Sequence, residues 1–85
     1  MKLYDNGGKT FDRYTLITGR KEVYGFSENP LSPQGFNQFC GTWDDPNGDF
    51  ENLGERVSLA EVPREVQAAI AERLRDSDNA ITIDL

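Results

Sequence analysis

Apolar and polar positions follow different periods in successive blocks of the chain, and the blocks predict its elements. Residues 2–4, Lys-Leu-Tyr, read as a short first strand. Asp5-Asn6-Gly7-Gly8 follows, and Asn-Gly predicts a two-residue type I′ hairpin, whose central residues both need positive φ. Residues 11–18 read as the second strand, since Phe11, Tyr14, Thr15, Ile17 and Thr18 are aromatic or β-branched. Gly19-Arg20-Lys21 forms a turn, and residues 22–26 return through Val23 and Tyr24, completing a three-stranded antiparallel meander.

The periodicity then disappears. Asn-Pro, Ser-Pro, Gln-Gly, Asp-Pro and Asn-Gly punctuate residues 28–54, which predicts a long loop. Phe36, Phe39, Trp43 and Phe50 argue for order in it, because exposed aromatics have little use in a solvated linker. Beyond it, Val57 and Leu59 suit a short strand over residues 56–59. Pro63 and Glu65 suit the first turn of a helix over about 63–75. Val62, Val66, Ile70 and Leu74 recur every four residues, with Ala69 beside them, as one apolar stripe. Arg73 and Arg75 complement the dipole at its C-terminal end. Ile81, Ile83 and Leu85 alternate with Thr82 and Asp84, a half-buried last strand over residues 80–85. The expected architecture is a single α+β domain over residues 1–85. Its mostly antiparallel sheet combines the three-stranded N-terminal meander with a C-terminal strand, and one amphipathic helix packs on one face.

Composition narrows the chemistry. The chain of 85 residues has no histidine and one cysteine, Cys40. An intramolecular disulfide is excluded, and the usual general base and commonest metal ligand are both missing. No apolar h-region follows Met1 and no apolar run reaches the roughly 18 residues of a membrane span, so a soluble, cytoplasmic protein is expected. Residues 1–26 hold five cations against three acids, whereas residues 27–85 hold four against twelve. No cation lies between Lys21 and Arg56, a stretch that carries Asp44, Asp45, Asp49 and Glu51. Such an acidic surface repels nucleic acid directly and suits a basic partner, or serves only solubility.

Several patterns resemble functional motifs and fail on spacing. Gly7-Gly8-Lys9-Thr10 looks like the end of a P-loop, but Leu3 stands where the first glycine belongs and a strand follows instead of a helix. Asp45, Asn47, Asp49 and Glu51 alternate like calcium ligands, yet the EF-hand's glycine and closing glutamate are out of place, so no metal or cofactor is expected. A nucleophile at Ser27, Ser32 or Cys40 lacks a spaced base. Two of Asp5, Asp12 and Glu28 converging as acid and base is the arrangement a small carboxylate-dependent enzyme would need.

The better candidate is a binding surface. In an extended strand Asp12 and Tyr14 share one face and Arg13 points to the other. These residues either form a cross-strand ion pair beside a half-buried tyrosine, or Arg13 meets the loop amides Asn29, Gln34 and Asn37 in a site for an anionic or amide-bearing ligand.

Three blocks, Asp-Asn-Gly-Gly-Lys-Thr-Phe-Asp-Arg-Tyr-Thr (5–15), Ser-Glu-Asn-Pro-Leu-Ser-Pro-Gln-Gly-Phe-Asn-Gln (27–38) and Leu-Gly-Glu-Arg-Val-Ser-Leu-Ala-Glu-Val-Pro-Arg-Glu-Val (53–66), resemble a group of short proteins of tailed phages and other bacterial mobile elements. The resemblance implies an accessory protein that binds a host component in the bacterial cytoplasm. The leading expectation is a non-enzymatic inhibitor of a host protein, of anti-defence or anti-CRISPR type, docking on a basic nucleic-acid-binding surface. The alternative is a small-ligand binder or sponge for a nucleotide or nucleotide-derived signal. An uncovered sheet edge also leaves room for a homodimer.

Overall fold

The computed structural model describes residues 1–43 and 53–75. Among these, five strands form one antiparallel sheet: β1 (Lys2–Asp5), β2 (Tyr14–Ile17), β3 (Glu22–Phe26), β4 (Asn37–Thr42) and β5 (Glu55–Val57). Their spatial order is β4-β3-β2-β1-β5. A 3-10 turn (Leu59–Glu61) leads into helix α1 (Arg64–Arg75). The fold is α+β, with the helix on one face of the sheet. No described helix is long and apolar enough to cross a membrane.

Cross-strand registry decides which face the helix covers. Leu3 opposes Leu16, and Leu16 opposes Tyr24; Tyr14 likewise opposes Phe26. These side chains form two rows on one face, Leu3–Leu16–Tyr24 and Tyr14–Phe26, and Val62, Val66, Ala69, Ile70 and Leu74 pack on them. The four-residue spacing of the helical stripe is what brings these groups to one side. Burying each of the larger ones contributes about 1.5–3 kcal/mol. At the end of α1 the Arg73 guanidinium donates to the Asn37 side-chain carbonyl at 2.7 Å, and also to the Asn37 backbone carbonyl. The helix is thereby tied to the edge strand.

Three features differ from the sequence expectation. First, β2 begins at Tyr14, and residues 6–13 form a longer connection than a two-residue hairpin. The Asn6 side chain accepts from the Gly8 and Lys9 N–H groups and donates to Thr10 Oγ1 at 2.7 Å. The Asn6 N–H donates to the Arg13 carbonyl, which closes the loop. Secondly, residues 37–42 of the expected loop form β4. Its amides and glycine gave no period of two, because most of its side chains are exposed and β3 holds it through the backbone. A bulge opposite Val23 and Tyr24 leaves Cys40 as the extra residue. Thirdly, Asp12 and Tyr14 do not share a face. Tyr14 is buried under the helix, whereas Asp12 lies in the connecting loop against Gly25 on the opposite side. The strand expected over residues 80–85 lies outside the described residues.

Gly54, entering β5, has φ +81°, and a Cβ there would stand 2.1 Å from the Asp5 carbonyl oxygen. Gly7 also has positive φ, 75°, but faces open space. Gly7→Ala should therefore cost about 1 kcal/mol of conformational strain, and Gly54→Ala at least about 3 kcal/mol because backbone must also move. Urea unfolding midpoints of the two variants measure the difference; equal losses would show that the close approach at Gly54 is not what requires glycine.

Candidate ligand-binding cleft

Two loops build the site. The first is residues 6–13, shaped by the buried Asn6 side chain, which is 6% exposed. The second spans residues 27–36 and is closed at its neck by Ser27 and Phe36. The Ser27 N–H donates to the Phe36 carbonyl at 2.9 Å, and the Phe36 N–H donates to Ser27 Oγ at 2.9 Å. Inside the loop the Ser32 N–H donates to the Asn29 carbonyl and the Gly35 N–H to the Ser32 carbonyl. A Cβ on Gly35 would lie 2.0 Å from the Asn29 carbonyl oxygen, so only glycine lets the loop fold back this tightly.

Arg13 joins the loops. Its Nε and Nη2 donate to the two Asp5 carboxylate oxygens at 2.8 and 3.1 Å, a bidentate pair. Its Nη1 donates to Glu28 Oε1 at 2.5 Å. The guanidinium carbon also sits 5.3 Å from the centroid of the Tyr14 ring. Hydrogen bonds from Arg13 hold the Asp5 carboxyl below its usual range, helped by the Gly7 N–H. Hydrogen bonds to Asp5 and then Glu28 raise the Arg13 guanidinium further above its ordinary value, so it stays charged at any working pH.

Between the loops lies an open cleft of about 510 Å³. Lys9, Phe11 and Arg13 line it from the first loop, and Asn29, Ser32 and Gln34 from the second. Ser27 and Glu28 complete its wall near Arg13. Phe11 is 67% exposed, an aromatic face left in solvent at the cleft.

Of the residues singled out by sequence, the cleft gathers Arg13, Asn29 and Gln34. Tyr14 belongs to the core under α1. Asn37 is taken by Arg73. Asp12 adjoins Gly25; burial pushes the Cys40 thiol above its ordinary value, and the Asp12 charge adds to it. The acidic residues Asp44, Asp45, Asp49 and Glu51 lie outside the described residues. Lys9, Thr10, Phe11, Ser27, Glu28 and Ser32 line the cleft without having been assigned to a binding site. The signal for Lys9 and Thr10 was present in Gly7-Gly8-Lys9-Thr10, a loop-forming run whose value does not depend on its being a P-loop.

The side chains at this surface offer hydrogen bonds, charges and the exposed Phe11 ring. The nearest carboxylates, Asp5 and Glu28, are both engaged by Arg13. Among the described residues no group of three metal-ligating side chains converges. No model of a known protein family, no curated protein and no solved structure matches the chain.

The Asp5 linkage has a definite sign. A carboxyl whose pKa is lowered in the folded state stabilises fully above its unfolded value and loses that contribution as pH falls through the folded one. Acid titration of stability should therefore show a loss beginning below the ordinary Asp value of 3.8. Asp5→Asn should be less stable than the parent at pH 7, and the gap should narrow as the pH drops below that point. Urea unfolding at several pH values tests it, and a gap that stays constant would deny Asp5 this role.

Proposed function

We propose that the protein is a non-enzymatic binding protein whose cleft between residues 6–13 and 27–36 holds a small ligand of the nucleotide class. The observation that carries this reading is the cleft itself. Its volume of about 510 Å³ suits a small molecule, and its polar groups come from two loops held in place by their own hydrogen bonds. Asn29 and Gln34 offer both donors and acceptors, Ser32 adds a hydroxyl, Lys9 adds a cation and Phe11 adds a ring on which a base can stack. Ion-paired carboxylates are poor proton carriers, which favours holding a ligand over transforming it. In the setting that the sequence resemblance implies, such a protein would act in the bacterial cytoplasm as a phage or mobile-element sponge, withdrawing a nucleotide signal from the host.

A second reading, an anti-defence inhibitor that binds a host protein, is favoured by a different observation. Phe39 on the edge strand β4 is 51% exposed, and Trp43 just beyond it is 44% exposed. Exposed aromatics beside a sheet edge suit a protein partner.

Thermal and chemical unfolding with a panel of mononucleotides, dinucleotides and nucleosides separates the two. A ligand present at 100 times its Kd should stabilise the protein by about 2.7 kcal/mol. Asn29→Ala with Gln34→Ala should abolish that gain without changing the stability of the free protein by more than about 0.5 kcal/mol, since both residues are exposed. A panel without any stabilising member, together with capture of a host protein that Phe39→Ser and Trp43→Ser prevent, would replace the first reading by the second.

A further inference from the structure

Resting on the cleft as the ligand site, we infer that Glu28 occupies an anion subsite on Arg13, and that a ligand's phosphate or carboxylate binds by displacing it. The two carboxylates on Arg13 are held unequally. Asp5 makes two hydrogen bonds to Arg13, is itself fixed by the Gly7 N–H, and has a side chain 23% exposed. Glu28 makes one, from a side chain 56% exposed. An exposed single-contact ion pair is weak, whereas a bidentate pair resists exchange. Asp5 is therefore the anchor of the guanidinium and Glu28 its replaceable partner.

The donor count agrees. A guanidinium has five N–H groups, of which Asp5 takes two and Glu28 one. When Glu28 swings into solvent, both terminal nitrogens present N–H groups on the edge away from Asp5, the fork that a phosphate or carboxylate accepts. Glu28 in place leaves the cluster of Asp5, Arg13 and Glu28 with a net negative charge, which opposes an incoming anion. With Glu28 displaced into solvent by the ligand, that opposition is weakened, and Lys9 lies in the same lining without a carboxylate partner among the described residues. Phe11, on the same loop, offers its ring to a flat group attached to the anion. The ligand class this describes is a planar ring carrying a phosphate or a carboxylate. Glu28 belongs to the second loop and Arg13 to the first, so the exchange also breaks the ion pair that links the two loops.

The experiment is a titration of the parent and Glu28→Gln with inorganic phosphate, adenosine 5′-monophosphate, adenosine and an aromatic carboxylate, followed by amide NMR shifts, which also report that each variant is folded. Glu28→Gln keeps the size of the side chain and removes the competing charge, so it should bind the anionic probes about tenfold more tightly than the parent. Lys9→Gln should weaken the same probes in both backgrounds, with little effect on adenosine. The phosphate and carboxylate arms show which anion the fork prefers. Equal affinity of parent and Glu28→Gln for every anionic probe would overturn the displacement while leaving the cleft as a ligand site. Adenosine binding as tightly as its monophosphate would overturn the anion subsite in the same way. If no probe binds either protein, both this inference and the nucleotide reading of the cleft fail.

Discussion

A buried amide has to be satisfied, and Asn6 sits where satisfying it shapes everything nearby. Its carbonyl collects two backbone N–H groups and its amide reaches Thr10, so residues 7–10 are wrapped around one side chain. Its own N–H reaches the Arg13 carbonyl, which returns the chain beside the strand it left. That return places Arg13 against Asp5, and the pair then reaches Glu28 in the other loop. Any side chain at Gly54 would clash with the same strand end, so the lead into β5 is fitted to it as well. The turn after β1 thus organises the cleft, the ion-pair cluster and the entry of the second edge strand.

The sheet divides its two faces between stability and support of the site. Leu3, Leu16, Tyr24, Tyr14 and Phe26 face the helix and are closed off by it. On the other side Gly25 leaves room for the Phe36 ring, and a Cβ there would stand 2.8 Å from it. Phe36 is also the residue that closes the neck of the second loop. The loop is therefore attached to the sheet by an aromatic contact and to itself by hydrogen bonds. Apolar burial and polar closure act on the same residue.

Those parts of the fold that depend on local periodicity were legible in the sequence. The helix announced itself through Val66, Ile70 and Leu74, the first three strands through their β-branched and aromatic residues, and β5 through Val57. The strand β4 did not, because Asn37, Gln38, Cys40 and Gly41 carry no alternation and its pairing rests on backbone groups that composition cannot reveal. Arg13, Asn29 and Gln34, which line the cleft, stood out for different reasons: Arg13 as a cation beside Asp12 and Tyr14, and the two amides as polar side chains concentrated in an aromatic-bearing loop. Asn37 looked the same in sequence, and only a partner 36 residues away distinguishes it. Phe11 was lost to the cleft by being counted as strand, since nothing local shows that Asn6 would draw the loop out as far as Arg13.

The neck between Ser27 and Phe36 has an evolutionary consequence. Its two hydrogen bonds use the Ser27 N–H and hydroxyl and the Phe36 carbonyl and N–H, and make no demand on the side chains of residues 28–34, Gly35 alone being fixed by the close approach of the Asn29 carbonyl. The intervening segment can be exchanged or lengthened at the small entropic cost of closing a larger loop, while the strands on either side keep their registry. A scaffold of this kind separates what must be inherited from what can be rewritten. Descendants of one such chain could differ in this segment while remaining superimposable in their sheets and helix.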